Sequence, residues 1–413
     1  MKAYWSIFKI EETNTVNQQI RFILLNLFVF FLPFERFYTT LLIYPIILLT
    51  LIDFKHLNYK QITLKTLLFQ AVWLLSLLGY FYSQEKGVAS FMLEKQLMLF
   101  VFPIILPLAF EINANSIKKL LISLVIGSIT ALIILFAYLF MDFFSNKNFT
   151  LTNHFNHNFS APISVHPTYL SLIVNLSIIS LLYGYKETKN KIASIVLILI
   201  LLVGIVFLSS KNITISTVIV VATLTYSLFK NKRYYVVSLL LVGALFVGMI
   251  ASNDYLKDRF TTQLFQDISN SDKKQIHLLE PRSERWKLGW ELIKEKPLFG
   301  HGTGDEVMEL KKKYAANKMF ISYIESFNIH NQYLSILIKH GIIGFLVFSF
   351  ALGYYVWIGI KSKNVVYLFF LGVLFLAFMT ENILDSNKGI FYFAFFNTIF
   401  GYYAVKQVEE HNL

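Results

Sequence analysis

Apolar runs close to membrane-crossing length recur along this chain, and they limit what it can fold into before any motif is read. A helix needs roughly 20 apolar residues to cross a hydrocarbon core about 30 Å thick. Twelve segments approach that length: about 20–34, 37–52, 66–82, 96–110, 119–141, 167–185, 192–209, 212–229, 234–251, 333–360, 365–380 and 389–405. Pro45 interrupts the second, and a short polar stretch around Lys211 separates the seventh from the eighth, so the sequence allows ten to thirteen. Backbone groups in lipid must bond to each other, which leaves helices or a closed barrel. Runs without polar alternation select helices. Only 15% of the 413 residues are charged and 56% are hydrophobic, against about 25% charged in soluble domains. The expectation is an all-α polytopic membrane protein with about 12 transmembrane helices.

The basic residues supply the orientation. With the N-terminus inside, the inside loops hold 17 lysines and arginines, whereas the short outside loops hold six: Arg36, Lys86, Lys95, Lys147, Lys211 and Lys388. This bias predicts that both termini are cytoplasmic and that the long polar segment is on the far side. Residues 1–251 then form an N-terminal bundle of about nine helices. Residues 252–332 form one large loop, and 333–413 form about three further helices with a short tail. The N-terminus lacks a short apolar core with a small-residue cleavage site, so no removable signal peptide is expected. Most of the formal charge of +12 is accounted for by topology. The remainder, in the long loop, suggests an anionic partner; nucleic acid is not expected. The absence of cysteine excludes disulfides, thiolate chemistry and Cys-ligated metals.

The polar stretch from about Ala251 to Gly344 collects the residues suited to chemistry. Glu280-Pro281-Arg282-Ser283-Glu284 reads as a helix start, because proline suits the first turn and an acid suits the positive end. The helix would continue through WKLGWELIKEK and stop before Pro297. Trp286, Trp290 and Ile293 recur at helical spacing and make one apolar face. Arg282 and Arg285, three residues apart, share a neighbouring face near the N-terminus, where free N–H groups and two guanidinium groups favour a phosphate. Gly300, Gly302 and Gly304 follow, and a turn after a helix explains them as well as an anion cradle does. Lys311-Lys312-Lys313 reads as a solvated or headgroup-facing helix side. His330-Asn331 then falls where the chain re-enters the membrane.

Candidates elsewhere are fewer. His154, His157 and His166 invite a zinc reading, but no acid, cysteine or HExxH pattern completes a set. His166-Pro167 opens a span, as an interfacial cap or a substrate hydrogen bond. Lys211 lies between two apolar runs and either snorkels or meets a lipid-borne phosphate. Asn26 and Asn175 are expected to bond between helices. A transporter or flippase would show buried acids in the spans and related halves, and neither is seen. A non-catalytic scaffold with a docking loop is the remaining alternative class.

His330-Asn331, nine residues and then Gly341-x-x-Gly344 resemble the signature of the bacterial O-antigen ligase and Wzy-type O-antigen polymerase superfamily. Arg282-x-x-x-Trp286 followed by LIKEKPLFGHGTGD is similar to that family's upstream stretch. The resemblance departs at Ser210-Lys211, where the family often has Ser-Arg; lysine keeps a point charge but loses the bidentate fork. It implies a metal-independent, inverting GT-C-type glycosyltransferase of the inner membrane, facing the periplasm and needing no cofactor. The donor would be a glycan on undecaprenyl pyrophosphate. The acceptor would be lipid A–core for a ligase, the growing glycan for a polymerase, or a protein hydroxyl for an O-oligosaccharyltransferase. Under that reading His330 is the base or orienting group for the acceptor, and Arg282 and Arg285 hold the pyrophosphate with Lys211 assisting. Asn331 and His166 are further substrate contacts. Imidazole, with an ordinary pKa of about 6.5, suits this proton transfer at periplasmic pH.

Overall fold

The computed structural model describes residues 16–411 apart from 54–56, 58, 60–65, 67, 229–231 and 264–279. Lys2, Lys9, Lys55, Lys60, Lys65 and Lys230, counted above for orientation, lie outside the described residues, as does the N-terminal stretch read for a signal peptide. Helices in chain order are α1 (Val16–Phe31), α2 (Arg36–Ile52), α3 (Ala71–Tyr82), α4 (Lys86–Lys95), α5 (Leu97–Ala109) and α6 (Ala114–Ser145). They continue with α7 (Pro167–Gly184), α8 (Lys191–Leu208), α9 (Lys211–Leu228), α10 (Lys232–Ala251) and α11 (Asp254–Phe260). The last are α12 (Arg282–Glu295), α13 (Glu306–Ala316), α14 (Phe320–Ile324), α15 (Gln332–Lys361), α16 (Val365–Phe378) and α17 (Asn387–His411). No strand occurs among the described residues.

Each of the twelve apolar runs coincides with a helix. Among the described residues, six helical stretches are long and apolar enough to cross a membrane: Lys86–Ala109 (α4 with α5), Ala114–Ser145, Pro167–Gly184, Lys191–Leu208, Lys211–Leu228 and Gln332–Lys361. A seventh is reached if α10 and α11, bent by 110° at their junction, count as one. Four other apolar helices are 10–17 residues long. The stretch holding Lys86 and Lys95, expected as a short outside loop, is itself helical.

The described residues form two compact units that alternate along the sequence. Met1–Tyr59, Pro107–Phe260 and Val365–Val373 make the first; Lys60–Leu106, Thr261–Asn364 and Leu374–Leu413 make the second. In the first, α1 packs on α2 and α6, and α7 packs on α6, α8 and α9. Polar side chains tie these helices where lipid offers no alternative partner. Asn26 accepts a hydrogen bond of 2.7 Å from Ser123 Oγ, and Asn175 Nδ2 donates to Thr217 Oγ1 at 2.8 Å, as the sequence led one to expect. Arg21, one of the 17 basic residues counted for orientation, is fully buried. Its guanidinium donates to the carbonyls of Ala109 and Leu49 and pairs with Asp53 at 3.0 Å.

In the second unit, α12 and α13 are packed onto the start of α15. Leu288, Leu292 and Ile293 of α12, Leu310 and Tyr314 of α13, Met319, Ile329, and Leu334, Leu337 and Ile338 of α15 form one buried cluster. Each such side chain contributes on the order of 1.5–3 kcal/mol on burial. The buried face of α12 runs through Arg285, Leu288, Gly289, Leu292 and Ile293. Trp286 packs at its edge and Trp290 is exposed, so the apolar face expected from Trp286, Trp290 and Ile293 is rotated. Tryptophan can satisfy its N–H at an edge, and Trp286 donates to the Ile329 carbonyl at 3.1 Å.

Candidate active site

The two glycine motifs meet each other. Helix α15 breaks at Gly341, whose backbone is at φ +62°, ψ −165°. The break frees the carbonyls of Ile338 and Lys339, which accept from the amides of His301 (2.8 Å) and Gly302 (2.9 Å). In return, the amides of Ile342 and Ile343 donate to Pro297 and Leu298. A Cβ on Gly300 would stand 2.5 Å from the Lys339 carbonyl carbon, and one on Gly341 would stand 2.3 Å from the Leu298 backbone. Glycine is required at both because two backbones touch and φ is positive. The Gly304 amide donates to Ser83 Oγ at 3.1 Å. With the amides of residues 301, 302 and 304 turned inward, the loop is a docking turn and not an anion cradle. Asp305, which closes it, accepts from the amides of Gln84 and Glu85.

This docking fixes the start of α15, and the start of α15 fixes the histidine. Asn331 caps the helix, its Oδ1 accepting from the amides of Tyr333 (3.0 Å) and Leu334 (3.1 Å). Its own amide donates to Asn382 Oδ1 at 2.9 Å. The side chain expected to touch substrate is therefore engaged in capping. One residue earlier, His330 sits at φ +49°, a conformation costing about 1–3 kcal/mol outside glycine. Its amide donates to Asn328 Oδ1, which helps to hold the turn.

His330 and Arg282 converge on one carboxylate. Glu381 Oε2 lies 3.3 Å from His330 Nδ1, and Glu381 Oε1 accepts from Arg282 Nη2 at 3.0 Å. The side chains of His330 and Arg282 keep 25% and 26% of their surface exposed and Glu381 keeps 12%, so the group opens outward. Arg285 is buried, its guanidinium carbon 5.1 Å from the centre of the Phe327 ring. That ring stands edge-on to His330 at 5.7 Å. Both arginines of α12 are thus linked to the histidine, one through a carboxylate and one through an aromatic ring.

Beneath this group lies a charged cluster. Lys339 Nζ is 2.7 Å from Asp385 Oδ2 and 3.0 Å from Glu306 Oε2, with the three side chains 5%, 6% and 3% exposed. Ser335 Oγ donates to Glu306, Asn382 Nδ2 to Asp385 at 3.1 Å, and Gln96 Nε2 to the other Asp385 oxygen at 3.2 Å. Burial alone would raise the Asp385 carboxyl, but the Lys339 charge and these hydrogen bonds hold it below its ordinary value. Glu381, Glu306, Lys339 and Asp385 were not picked out from sequence. A signal existed: by the lysine alternation, the TENILDSNK stretch falls on the same side as the long loop.

The remaining candidates have local roles. In the first unit, Lys211 opens α9 just after Ser209, which is left-handed and whose carbonyl accepts from Arg259 Nε at 2.7 Å. His166 caps α7, its Nδ1 accepting from the Thr168 amide. His154 pairs with Asp142 at 3.0 Å, an acid the sequence reading had not associated with it. In the second unit, Lys312 pairs with Glu309, and Lys313 with Glu291 and Glu295, so this run is a solvated helix side laced by ion pairs.

A membrane protein that is all-helical among the described residues, with an imidazole, a carboxylate and guanidinium groups gathered ahead of a broken apolar helix, is the class that fold and site define. The family model described as O-antigen ligase matches residues 196–349, a segment that holds both glycine motifs and His330. That match supports the O-antigen ligase superfamily for this segment. A curated protein of Haemophilus influenzae, described as an uncharacterized protein, is 24% identical over 225 residues. The alignment covers 51% of this chain and 56% of that relative, so the chain spans about half the relative's length.

Proposed function

We propose that this protein is a glycosyltransferase of the O-antigen ligase type. It moves a glycan from undecaprenyl pyrophosphate to an acceptor hydroxyl, that of lipid A–core, at the periplasmic face of the inner membrane. The observation that carries the reading is the convergence of His330 and Arg282, both within the segment that matches the family, on Glu381, which lies beyond it. Breaking a sugar–pyrophosphate bond needs positive charge on the leaving group and a base for the incoming hydroxyl. Arg282 has N–H groups beyond the one given to Glu381 and supplies the charge from the exposed side. Arg285 adds to the local positive potential from beneath. His330 takes the acceptor proton, the acceptor oxygen bonds to the anomeric carbon with inversion, and the pyrophosphate leaves with the electron pair. No metal takes part.

The test is reconstitution in vesicles with a polyprenyl-pyrophosphate-linked glycan, following release of polyprenyl pyrophosphate with lipid A–core, free glycan or a hydroxyl peptide as acceptor. Transfer to lipid A–core is expected, insensitive to chelator. His330→Ala should slow it about 10²–10⁴-fold; near-wild-type turnover would remove the base. Lys211→Met and His166→Ala, assayed alongside, check the other two expected contacts.

A further inference from the structure

We infer that Glu381 is the positioning residue for His330: it holds the ring with Nδ1 protonated and Nε2 presented to the acceptor, while Arg282 holds the carboxylate. This rests on the reading of His330 as the base. Neutral imidazole has one N–H and one lone pair. An ionised carboxylate only accepts, so the 3.3 Å contact between Nδ1 and Glu381 Oε2 puts the hydrogen on Nδ1 and the lone pair on Nε2. Among the described residues Nε2 has no partner. When the acceptor oxygen attacks, its proton moves to Nε2 and the bond from sugar to phosphate oxygen breaks toward phosphate. The imidazolium that results lies against Glu381, whose charge stabilises it without taking the proton, the division of labour found in serine hydrolase triads. A direct contact between Glu381 and the donor is disfavoured, since a carboxylate repels pyrophosphate.

The strip that carries Glu381 is fixed independently of any substrate. Asn382 Oδ1 accepts from the amide of Asn331, the residue after the histidine, at 2.9 Å. Gln332 Oε1 accepts from the Leu384 amide at 2.8 Å. Asp385 is anchored by Lys339 at 2.7 Å. Residues on either side of the carboxylate–imidazole contact are therefore tied to one another, so the ring is oriented before substrate arrives.

The same vesicle assay tests this with wild type, Glu381→Gln, Glu381→Asp, His330→Ala and the double variant His330→Ala/Glu381→Gln. Glu381→Gln is expected to lower kcat about 10–100-fold, less than loss of the imidazole itself, with donor KM within about twofold of wild type. Glu381→Asp should recover part of the rate. The double variant should be no slower than His330→Ala, because Glu381 acts through the ring. Should the glutamine variant not fold, the aspartate variant carries the same split of lowered kcat and unchanged donor KM. A wild-type kcat in Glu381→Gln, a raised donor KM alone, or a double variant well below His330→Ala would each overturn the inference and leave the transferase standing. Failure of wild type to release polyprenyl pyrophosphate with every acceptor would overturn the transferase reading, and this inference with it.

Discussion

At the scale of single residues, the strongest stability prediction concerns Lys339. Its ammonium sits between two buried carboxylates, and removing one member of a buried ionic set leaves uncompensated charge at a cost of about 3–5 kcal/mol. Lys339→Met should therefore lower the thermal midpoint of the detergent-solubilised protein sharply; an unchanged midpoint would show that the cluster is not structural. Asp385 gives the acid counterpart. Its folded carboxyl lies below the unfolded value of about 3.9, so its contribution is present above that value and is lost as pH falls through the folded one. The midpoint should hold down to about pH 5 and fall below about pH 4. Asn331→Ala should cost about 0.5–2 kcal/mol through its lost cap, and Asn331→Asp much less. Of the site residues, Arg282 and His330 were legible because each lies in a polar segment with recognisable neighbours. Glu381 and Lys339 were not. A glutamate just after an apolar run looks like a loop residue, and a lysine inside one looks like a snorkelling cation, until tertiary contacts pair them.

At the scale of elements, the break in α15 and the turn docked against it behave as one joint. Gly341→Ala adds a Cβ 2.3 Å from the Leu298 backbone at a positive φ and should cost at least about 1–3 kcal/mol. Gly353→Ala, in the same helix with nothing within 4 Å, is the control and should be neutral within about 0.5 kcal/mol. Similar melting of the two variants would mean that the joint yields. The extent of α12 was readable from its proline, its acid and the downstream Pro297. Its buried face was not, because Trp286 and Trp290 weigh heavily in a periodicity count yet stay at the edge and the surface. Nor was the break readable: a glycine in an apolar run signals small size, and only the partner loop shows that it bends.

At the scale of the whole molecule, the apolar runs announced the helices one for one, since lipid leaves the backbone no other arrangement. Among the described residues six helical stretches have crossing length, and sidedness needs a separate measurement. The lack of native cysteine makes single introduced cysteines direct reporters. Lys311→Cys should react with an impermeant maleimide added to the periplasmic side of spheroplasts, and Lys363→Cys only after the membrane is opened. The reverse pattern would invert the topology and remove the proposed periplasmic site.

The alternation of the two units along the sequence bears on how the protein is made. Lys339 leaves the ribosome 46 positions ahead of Asp385, so its charge enters the folding chain before one of its two counter-ions has been synthesised. A product stopped before residue 381 would display a half-neutralised lysine and a histidine without its carboxylate. Assembly of this charged group thus waits on the connection between α16 and α17, which delivers Glu381 and Asp385.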